Sequence, residues 1–108
     1  PGESSAVMRE RVLKARAIQS QRFADSKLVH CNAMMSSKMV RQYCALDVEC
    51  DKLLELTMTK LGLSARAYDR ILKVSRTIAD LEGSAQIQKQ HLLEAISYRS
   101  LDRNTWAL

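Results

Sequence analysis

The sequence has few of the residues that make turns and few aromatic side chains. Its 108 residues include three glycines and one proline, and only 5% are aromatic. A β-rich fold needs a turn about every 8–12 residues, which this composition does not supply. Leu, Ile, Val, Met and Ala must therefore form the core, and these side chains pack well between helices. The sequence predicts an all-α fold, a bundle of about five helices forming one domain over residues 1–108.

Long apolar runs and a glycine-rich loop are also missing. No stretch approaches the roughly 18 apolar residues of a membrane span, and no signal peptide opens the chain. Gly2, Gly62 and Gly83 are too far apart to form a phosphate-binding loop. The two histidines and the scattered carboxylates suggest no catalytic triad. We expect no membrane contact and no catalytic residue in this segment.

Cysteine is present in an odd number, at Cys31, Cys44 and Cys50, without a C-x-x-C pair. This spacing favours neither a disulfide framework nor a zinc site. We expect free thiols, no metal and a cytoplasmic location. His30 is predicted to lie at the surface, and His91 to pack half-buried or to cap the start of a helix.

Charge is unevenly distributed. Seventeen Lys and Arg oppose twelve Asp and Glu, for a net charge of +5, which permits a nucleic-acid or phosphate partner without requiring one. The N-terminal segment is basic, and the segment Asp47–Glu55 is acidic. The two segments are interpreted either as solvated helix faces or as surfaces that attract each other within one molecule. The basic set consists of Arg9, Arg11, Lys14, Arg16 and Arg22.

Apolar spacing and capping residues predict the earlier elements. The first helix covers Ser4–Ala24, capped by Ser4 or Ser5, with Met8, Val12, Ala15 and Gln19 on one row, widened by Leu13 and Ala17. The stretch Asp25–Met35 is irregular, with Lys27–Val29 as a short extended piece and Asn32 opening a turn. A helix over Lys38–Cys44 starts after Ser36 or Ser37. Asp47 caps the next, which ends at Leu61 before Gly62. Its core candidates are Val48, Leu53, Leu54, Leu56 and Met58.

The clearest helix is predicted over Ala65–Glu82, with Ser64 as N-cap and Gly83 as the stop. Leu63 and Tyr68 have the spacing of a hydrophobic staple. A last helix over Lys89–Arg99 precedes a tail, Leu101–Leu108. On the Ala65–Glu82 helix the predicted buried face holds Tyr68, Ile71, Leu72, Ser75, Ile78 and Ala79. The predicted solvent face holds Arg66, Arg70, Lys73 and Asp80, with Asp69 and Lys73 spaced as an i,i+4 ion pair.

Two long motifs resemble a known family. Leu63–Leu81 reads LSARAYDRILKVSRTIADL. It is similar to the C-terminal domain of the magnesium-chelatase-like AAA+ ATPases, the ComM/YifB competence-protein family, and departs from that pattern at Ser75, where alanine is usual. The second motif begins at Gly2–Ser5 and continues through Arg11–Arg22. Further similarity follows at Ile87, His91–Leu92, Glu94–Ala95, Tyr98–Arg99 and Leu101–Arg103.

The resemblance implies an AAA+ lid-like domain whose sensor arginine would be Arg66, with Arg70 and Lys73 as weaker phosphate or subunit contacts. It implies ATP and Mg²⁺ for the parent ATPase, with no cofactor bound by this segment alone. Implied partners are the AAA+ core of the same polypeptide, further copies in a homo-hexamer, and DNA during branch migration. Because residue 1 is proline, we expect the segment to be excised from a larger protein.

Two alternatives to a nucleotide role remain open. One is a DNA-binding module that uses the five basic residues of the first helix. Five phosphate contacts would give a salt slope near −4.5 on duplex DNA. For a lid, we favour the other explanation of these residues, as contacts to the AAA+ core or to an adjacent protomer. The other alternative is an independent helical protein-interaction domain.

Overall fold

The computed structural model describes the backbone of residues 4–106 and the side chains of residues 4–98. Within these residues all regular structure is helical, which confirms the predicted all-α class. The helices are α1 (Ser5–Arg22), α2 (Ser37–Tyr43), α3 (Val48–Leu61), α4 (Ala65–Glu82) and α5 (Lys89–Trp106), and a short 3-10 helix spans Asn32–Met34. None of the described helices combines the length and hydropathy that crossing a membrane requires.

Local capping chemistry determines where most helices begin. Ser4, Ser36 and Ser64 each accept a hydrogen bond from the backbone N–H three residues ahead, at 3.2, 3.3 and 3.3 Å. Asp47 does the same for Cys50 at 2.7 Å. These oxygens satisfy amides that have no partner inside the first turn. The predicted caps of all four helices are therefore confirmed.

Glycine ends α3 and α4. Gly62 and Gly83 have φ of 62° and 72°, in the left-handed region where residues with a Cβ are strained. Their N–H groups return to carbonyls of the last helical turn, as in a common C-cap arrangement. These two stops, predicted from sequence, set the lengths of α3 and α4.

Helix α4 is the centre of the bundle, and α1, α2, α5 and the Asn32–Met34 turn pack against it. Its predicted inner face is correct, with Tyr68 half-buried and the others buried. Ser75, the departure from the family pattern, is buried, and its hydroxyl donates to the Ile71 carbonyl at 2.8 Å. The hydroxyl is thus satisfied within the helix. The core also includes Phe23, Met35, Val40, Cys44, Cys50, Leu54, Ile87, Leu92 and Ala95.

The predicted core of α3 is only partly correct. Leu54 is fully buried, and Leu53 and Met58 pack at the edge of the core. Val48 and Leu56 are 71% and 69% exposed, so their assignment to the core was wrong. The helix packs mainly against α5, and this contact reaches one side of α3. Val48 and Leu56 lie on the exposed side of the helix.

The apolar stripe predicted for the first helix is also largely uncovered. Ala15 is the buried residue of α1, whereas Met8, Val12 and Leu13 are exposed. Helix α1 contacts α4, with Arg22 in its last turn bound to Asp80, and Phe23 after the helix lies in the core. In the first half of the helix, Arg9 and Arg11 are exposed together with the apolar side chains.

Two further boundaries differ from the predictions. Lys27–Val29 contains no strand, because the segment 24–31 forms turns and bends on its way to the 3-10 helix. Helix α5 continues to Trp106, beyond the predicted end at Arg99, so residues 101–106 of the predicted tail are helical backbone. Residues 107–108 of that tail lie outside the described residues.

Candidate functional site

The first turn of α4 presents Arg66 to solvent. The Ser64 cap orients this turn, and Ala67 packs inward immediately after Arg66. Arg66 is exposed, and the positive end of the helix dipole lies beside it. This local geometry makes the start of α4 a surface that favours an anion.

Arg66, Arg70 and Lys73 follow each other at i, i+4 and i+7, and the structure brings them together. They line one groove of about 500 Å³ with Ala33 and Asp69. Lys73 donates to the Ala33 carbonyl at 3.3 Å, and Asp69 accepts from the Ser37 hydroxyl at 2.8 Å. These bonds replace the predicted Asp69–Lys73 pair.

A second groove borders Arg66 on its other side. It has a volume of about 650 Å³ and lies between α2 and α4. Ser37, Val40 and Arg41 line it from α2, and Arg66 and Leu72 from α4. Arg66 therefore borders both grooves, and Arg41 is an exposed cation on the same surface that sequence reasoning did not identify.

The C-terminal end of the same α4 face is buried. Asp80, predicted to be solvated, is only 1% exposed, which corrects that prediction. The reason is packing, because Arg22 of α1 and Asn32 of the 3-10 helix contact Asp80, whereas Arg66 at the other end of α4 is exposed. The face was located correctly, but solvent reaches only its N-terminal half.

Asp80 is the centre of a hydrogen-bonded network. Arg22 donates from both Nη atoms to the two carboxylate oxygens, each at 2.8 Å. Asn32 Nδ2 donates to Asp80 at 2.8 Å and to Thr77 at 3.0 Å, and Asn32 Oδ1 accepts from Arg22 at 2.8 Å. The network joins α1, the 3-10 helix and α4 in one buried unit.

Arg76 extends the network to the loop after α4. Its Nε donates to Asp80 at 3.2 Å, and its two terminal nitrogens donate to the carbonyls of Ala85 and Ser84 at 3.0 and 2.6 Å. Burial raises the pKa of Asp80, but hydrogen bonds from Arg22 and Asn32 and the charge of both arginines outweigh it, so its pKa lies below the ordinary value. The hydrogen bond with Asp80 raises the pKa of Arg22. Both partners are therefore charged near neutral pH.

Arg22 does not belong to the exposed basic surface on which sequence analysis placed it. Its side chain is 12% exposed and bound to Asp80, whereas Arg9, Arg11, Lys14 and Arg16 are exposed. Lys14 pairs with Glu10 of the same helix at 3.3 Å. The exposed basic surface of α1 is therefore smaller than the sequence predicted.

His91 is more buried than predicted, at 1% exposure. Its Nδ1 accepts a hydrogen bond from the Gln88 N–H at 2.9 Å, which caps the start of α5 and confirms the capping alternative. Its Nε2 lies 3.2 Å from Glu82 without hydrogen-bonding geometry. His30 is exposed, as predicted.

The arrangement of cysteines and carboxylates bears on whether a metal ion could bind. No group of three potential ligands is close enough to hold an ion among the residues whose side chains are described. The three thiols are free, with Cys44 and Cys50 buried and Cys31 half-buried. The candidate site is therefore the cationic surface around Arg66.

A signal for the missed network is present in the sequence. Arg76 and Asp80 stand at i,i+4, the spacing of an ion pair on a helix. Nothing local indicates that α1 would bring Arg22 to the same carboxylate, 58 residues away in the chain. Asn32 lies in the least regular stretch, where no sequence pattern likewise indicates that its side chain would bind Asp80.

Comparison with known proteins identifies the family. Residues 2–99 match the family model described as magnesium chelatase, subunit ChlI C-terminal. The chain belongs to this family. Both long motifs that carried the sequence resemblance lie within the matched residues, as does the Arg66 surface.

Members of the magnesium chelatase C-terminal family include close relatives of this chain. Uncharacterized protein YifB of Escherichia coli K12 is 50% identical over 103 residues, which cover 95% of this chain and 19% of the relative. Competence protein ComM of Haemophilus influenzae is 50% identical over 102 residues, which cover 94% of this chain and 19% of the relative. YifB of Salmonella typhimurium is 47% identical over 102 residues. The chain thus spans about a fifth of the length of these curated relatives.

Proposed function

We propose that this chain is the C-terminal lid module of a magnesium-chelatase-like AAA+ ATPase, and that Arg66 senses the γ-phosphate of ATP bound to the parent protein. The observation that carries the proposal is the position of Arg66, exposed in the first turn of α4 between two grooves, with Arg70 and Lys73 on the same face. Family membership supports the placement of this module within a longer AAA+ protein.

The chemistry of the surface suits a nucleoside triphosphate. A guanidinium binds phosphate oxygens through two charge-assisted hydrogen bonds, and loss of the γ-phosphate after hydrolysis removes that attraction. Arg70 and Lys73 add positive charge along the same face and serve as secondary phosphate or subunit contacts. The bound ATP and Mg²⁺ belong to the AAA+ core of the same polypeptide.

The Asp80 network would transmit the response to nucleotide. It binds α1 and the 3-10 helix to the same α4 that begins with Arg66. A lid held together by buried ion pairs moves as one body when its first turn gains or loses a phosphate contact. We propose that such movement drives DNA remodelling by a homo-hexamer in the cytoplasm.

The test is ATP hydrolysis by the full-length protein. Arg66→Ala is expected to reduce turnover at least tenfold while the circular dichroism spectrum stays unchanged. Lys27→Ala, which removes an exposed cation from the loop after α1, is the matched control and should leave turnover unchanged. Undiminished hydrolysis by the Arg66 variant would remove the sensor assignment.

A second function is favoured by the four exposed basic residues of α1. Arg9, Arg11, Lys14 and Arg16 would contact DNA phosphates, and without Arg22 the expected salt slope becomes about −3.6 on duplex DNA. Titration of the 108-residue chain with labelled duplex DNA at two salt concentrations measures this slope. Absence of binding at low salt would contradict DNA binding by α1.

A further inference from the structure

Arg41 is an exposed cation that neither the nucleotide proposal nor the DNA proposal uses. It lies in the last turn of α2. Its side chain lines the groove between α2 and α4, which Arg66 also lines. Two arginines from different helices therefore border the same groove.

Neither guanidinium group is neutralised by a neighbouring carboxylate. Among the residues whose side chains are described, Arg41 and Arg66 form no hydrogen bond or ion pair. Asp69 is the acid among the lining residues, and its Oδ2 accepts from the Ser37 hydroxyl at 2.8 Å instead of pairing with an arginine. Two like charges beside one groove repel each other, and an anion bound between them removes that repulsion.

Core packing holds the two walls of this groove in place. Val40, directly before Arg41, is 1% exposed, and Leu72 of α4 is 4% exposed. The hydrogen bond between Ser37 and Asp69 joins α2 to α4 a second time. The backbone positions from which both arginines extend are therefore fixed, while their long side chains can adjust to a ligand.

The groove on the other side of Arg66 is less suited to a first phosphate contact. Its Lys73 donates to the Ala33 carbonyl at 3.3 Å, and its Arg70 also interacts within the chain. A phosphate in that groove would compete with these contacts. The groove between α2 and α4 imposes no such competition on Arg41 or Arg66.

We propose that Arg41 and Arg66 together bind the γ-phosphate of ATP in the groove between α2 and α4. The inference rests on the proposed nucleotide function and adds a second binding residue from another helix. A terminal phosphate has three oxygen atoms, which accept charge-assisted hydrogen bonds from two guanidinium groups. Binding through both arginines links α2 to the first turn of α4, and loss of the γ-phosphate breaks that link.

Arg41 also has an explanation that needs no ligand. A cation in the last turn of a helix is favoured by the negative end of the helix dipole, and Arg41 has this position in α2. An arginine that serves α2 alone would not affect nucleotide affinity. The test must therefore measure affinity for the triphosphate and for the diphosphate separately.

Equilibrium binding of a non-hydrolysable ATP analogue and of ADP to the full-length protein tests the proposal. Arg41→Ala should lower the affinity for the analogue about tenfold or more, the range expected for a charge-assisted hydrogen bond. The affinity for ADP, which lacks the γ-phosphate, should change less than about twofold and so shows that the variant is folded. Arg41→Lys keeps the charge without the two-pronged geometry, and its affinity for the analogue should be intermediate.

Lys38→Ala is the matched control. It removes another exposed cation of α2, one that is not among the residues lining the groove. Both affinities should stay within about twofold of wild type, because a general loss of positive charge from α2 has little effect on a specific contact.

The double variant, Arg41→Ala with Arg66→Ala, tests whether both arginines bind the same phosphate. Residues that share a binding partner have coupled effects, so the losses should not multiply. The loss of affinity for the analogue in the double variant should be clearly smaller than the product of the two single losses. A loss equal to that product would contradict a shared phosphate.

Three results for Arg41→Ala would overturn the proposal. They are wild-type affinity for the analogue, equal losses for the analogue and ADP, and a loss that Lys38→Ala reproduces. Measurement of Arg66→Ala in the same series separates the two proposals. If Arg66→Ala lowers the affinity for the analogue and Arg41→Ala does not, the assignment of Arg41 alone is wrong. If neither variant has an effect, the sensor function is wrong as well.

Discussion

Arg22 and Asp80 form a two-pronged ion pair, with both nitrogen–oxygen distances at 2.8 Å, between the end of α1 and the last turn of α4. The Asp80 carboxylate is almost inaccessible to water. The pair holds the basic N-terminal helix on the helix that begins with Arg66. The ion pair therefore links the basic surface of α1 to the Arg66 surface of α4, which the sequence predicted to be separate.

Removal of Asp80 should be strongly destabilising. Asp80→Ala leaves the buried guanidinium of Arg76 and the largely buried one of Arg22 without their carboxylate, and we expect a loss of about 3–5 kcal/mol in the free energy of unfolding. Urea denaturation of the 108-residue chain measures it. Glu10→Ala, which breaks the exposed i,i+4 pair with Lys14, is the control and should cost about 0.5 kcal/mol or less. Equal losses in both variants would contradict the network's role.

Acid should weaken the same network. The folded-state pKa of Asp80 lies below its ordinary value, so its contribution is present above the unfolded-state pKa of about 3.9 and is lost as the pH falls through the lower folded value. The difference in unfolding free energy between wild type and Asp80→Asn should stay constant from about pH 7 to 5 and shrink below about pH 4. A difference that grows on acidification would contradict this sign.

Leu54 and Leu56 give a matched test of packing on α3. Leu54 is fully buried and Leu56 is 69% exposed. Leu54→Ala should cost about 2–5 kcal/mol, because it removes apolar contacts and leaves a cavity. Leu56→Ala should change the free energy of unfolding by about 0.5 kcal/mol or less. Similar losses from both substitutions, measured by urea denaturation, would show that α3 packs differently.

The three thiols should react at different rates. Burial raises the pKa of Cys44 to about 11, so roughly 0.1% of it is thiolate at pH 8. Burial also raises the pKa of Cys50. A thiol reagent at pH 8 should label Cys31 first and the two buried thiols at least tenfold more slowly. Cys31→Ser should remove the fast phase, and its persistence would contradict the assignment.

Local chemistry made the helix boundaries predictable. Ser64 and Gly83 act on their own turns, so the limits of α4 follow from sequence alone. Arg66, Arg70 and Lys73 were also placed together correctly, because i,i+4 and i+7 spacing determines a helix face.

Burial was less predictable because it depends on which helices meet. Asp80 shares its face with Lys73, yet Asp80 is buried because Arg22 of α1 binds it. Val48 and Met8 have apolar spacing typical of core residues, but α3 and α1 each contact the bundle along part of their surface. Arg22 and Asn32 reach Asp80 through tertiary packing, which no local pattern encodes.

The preference of the full-length protein for ATP over ADP tests the Arg66 assignment most directly. A charge-assisted hydrogen bond is worth about 1.5–3 kcal/mol, a factor of roughly 10–150 in affinity. Equilibrium binding of a non-hydrolysable ATP analogue and of ADP should show that Arg66→Ala lowers the affinity for the triphosphate at least tenfold more than that for the diphosphate. Arg66→Lys keeps the charge but loses the two-pronged geometry. Its ratio of triphosphate to diphosphate affinity should therefore lie between those of wild type and Arg66→Ala. An unchanged ratio of the two affinities in Arg66→Ala would contradict the account.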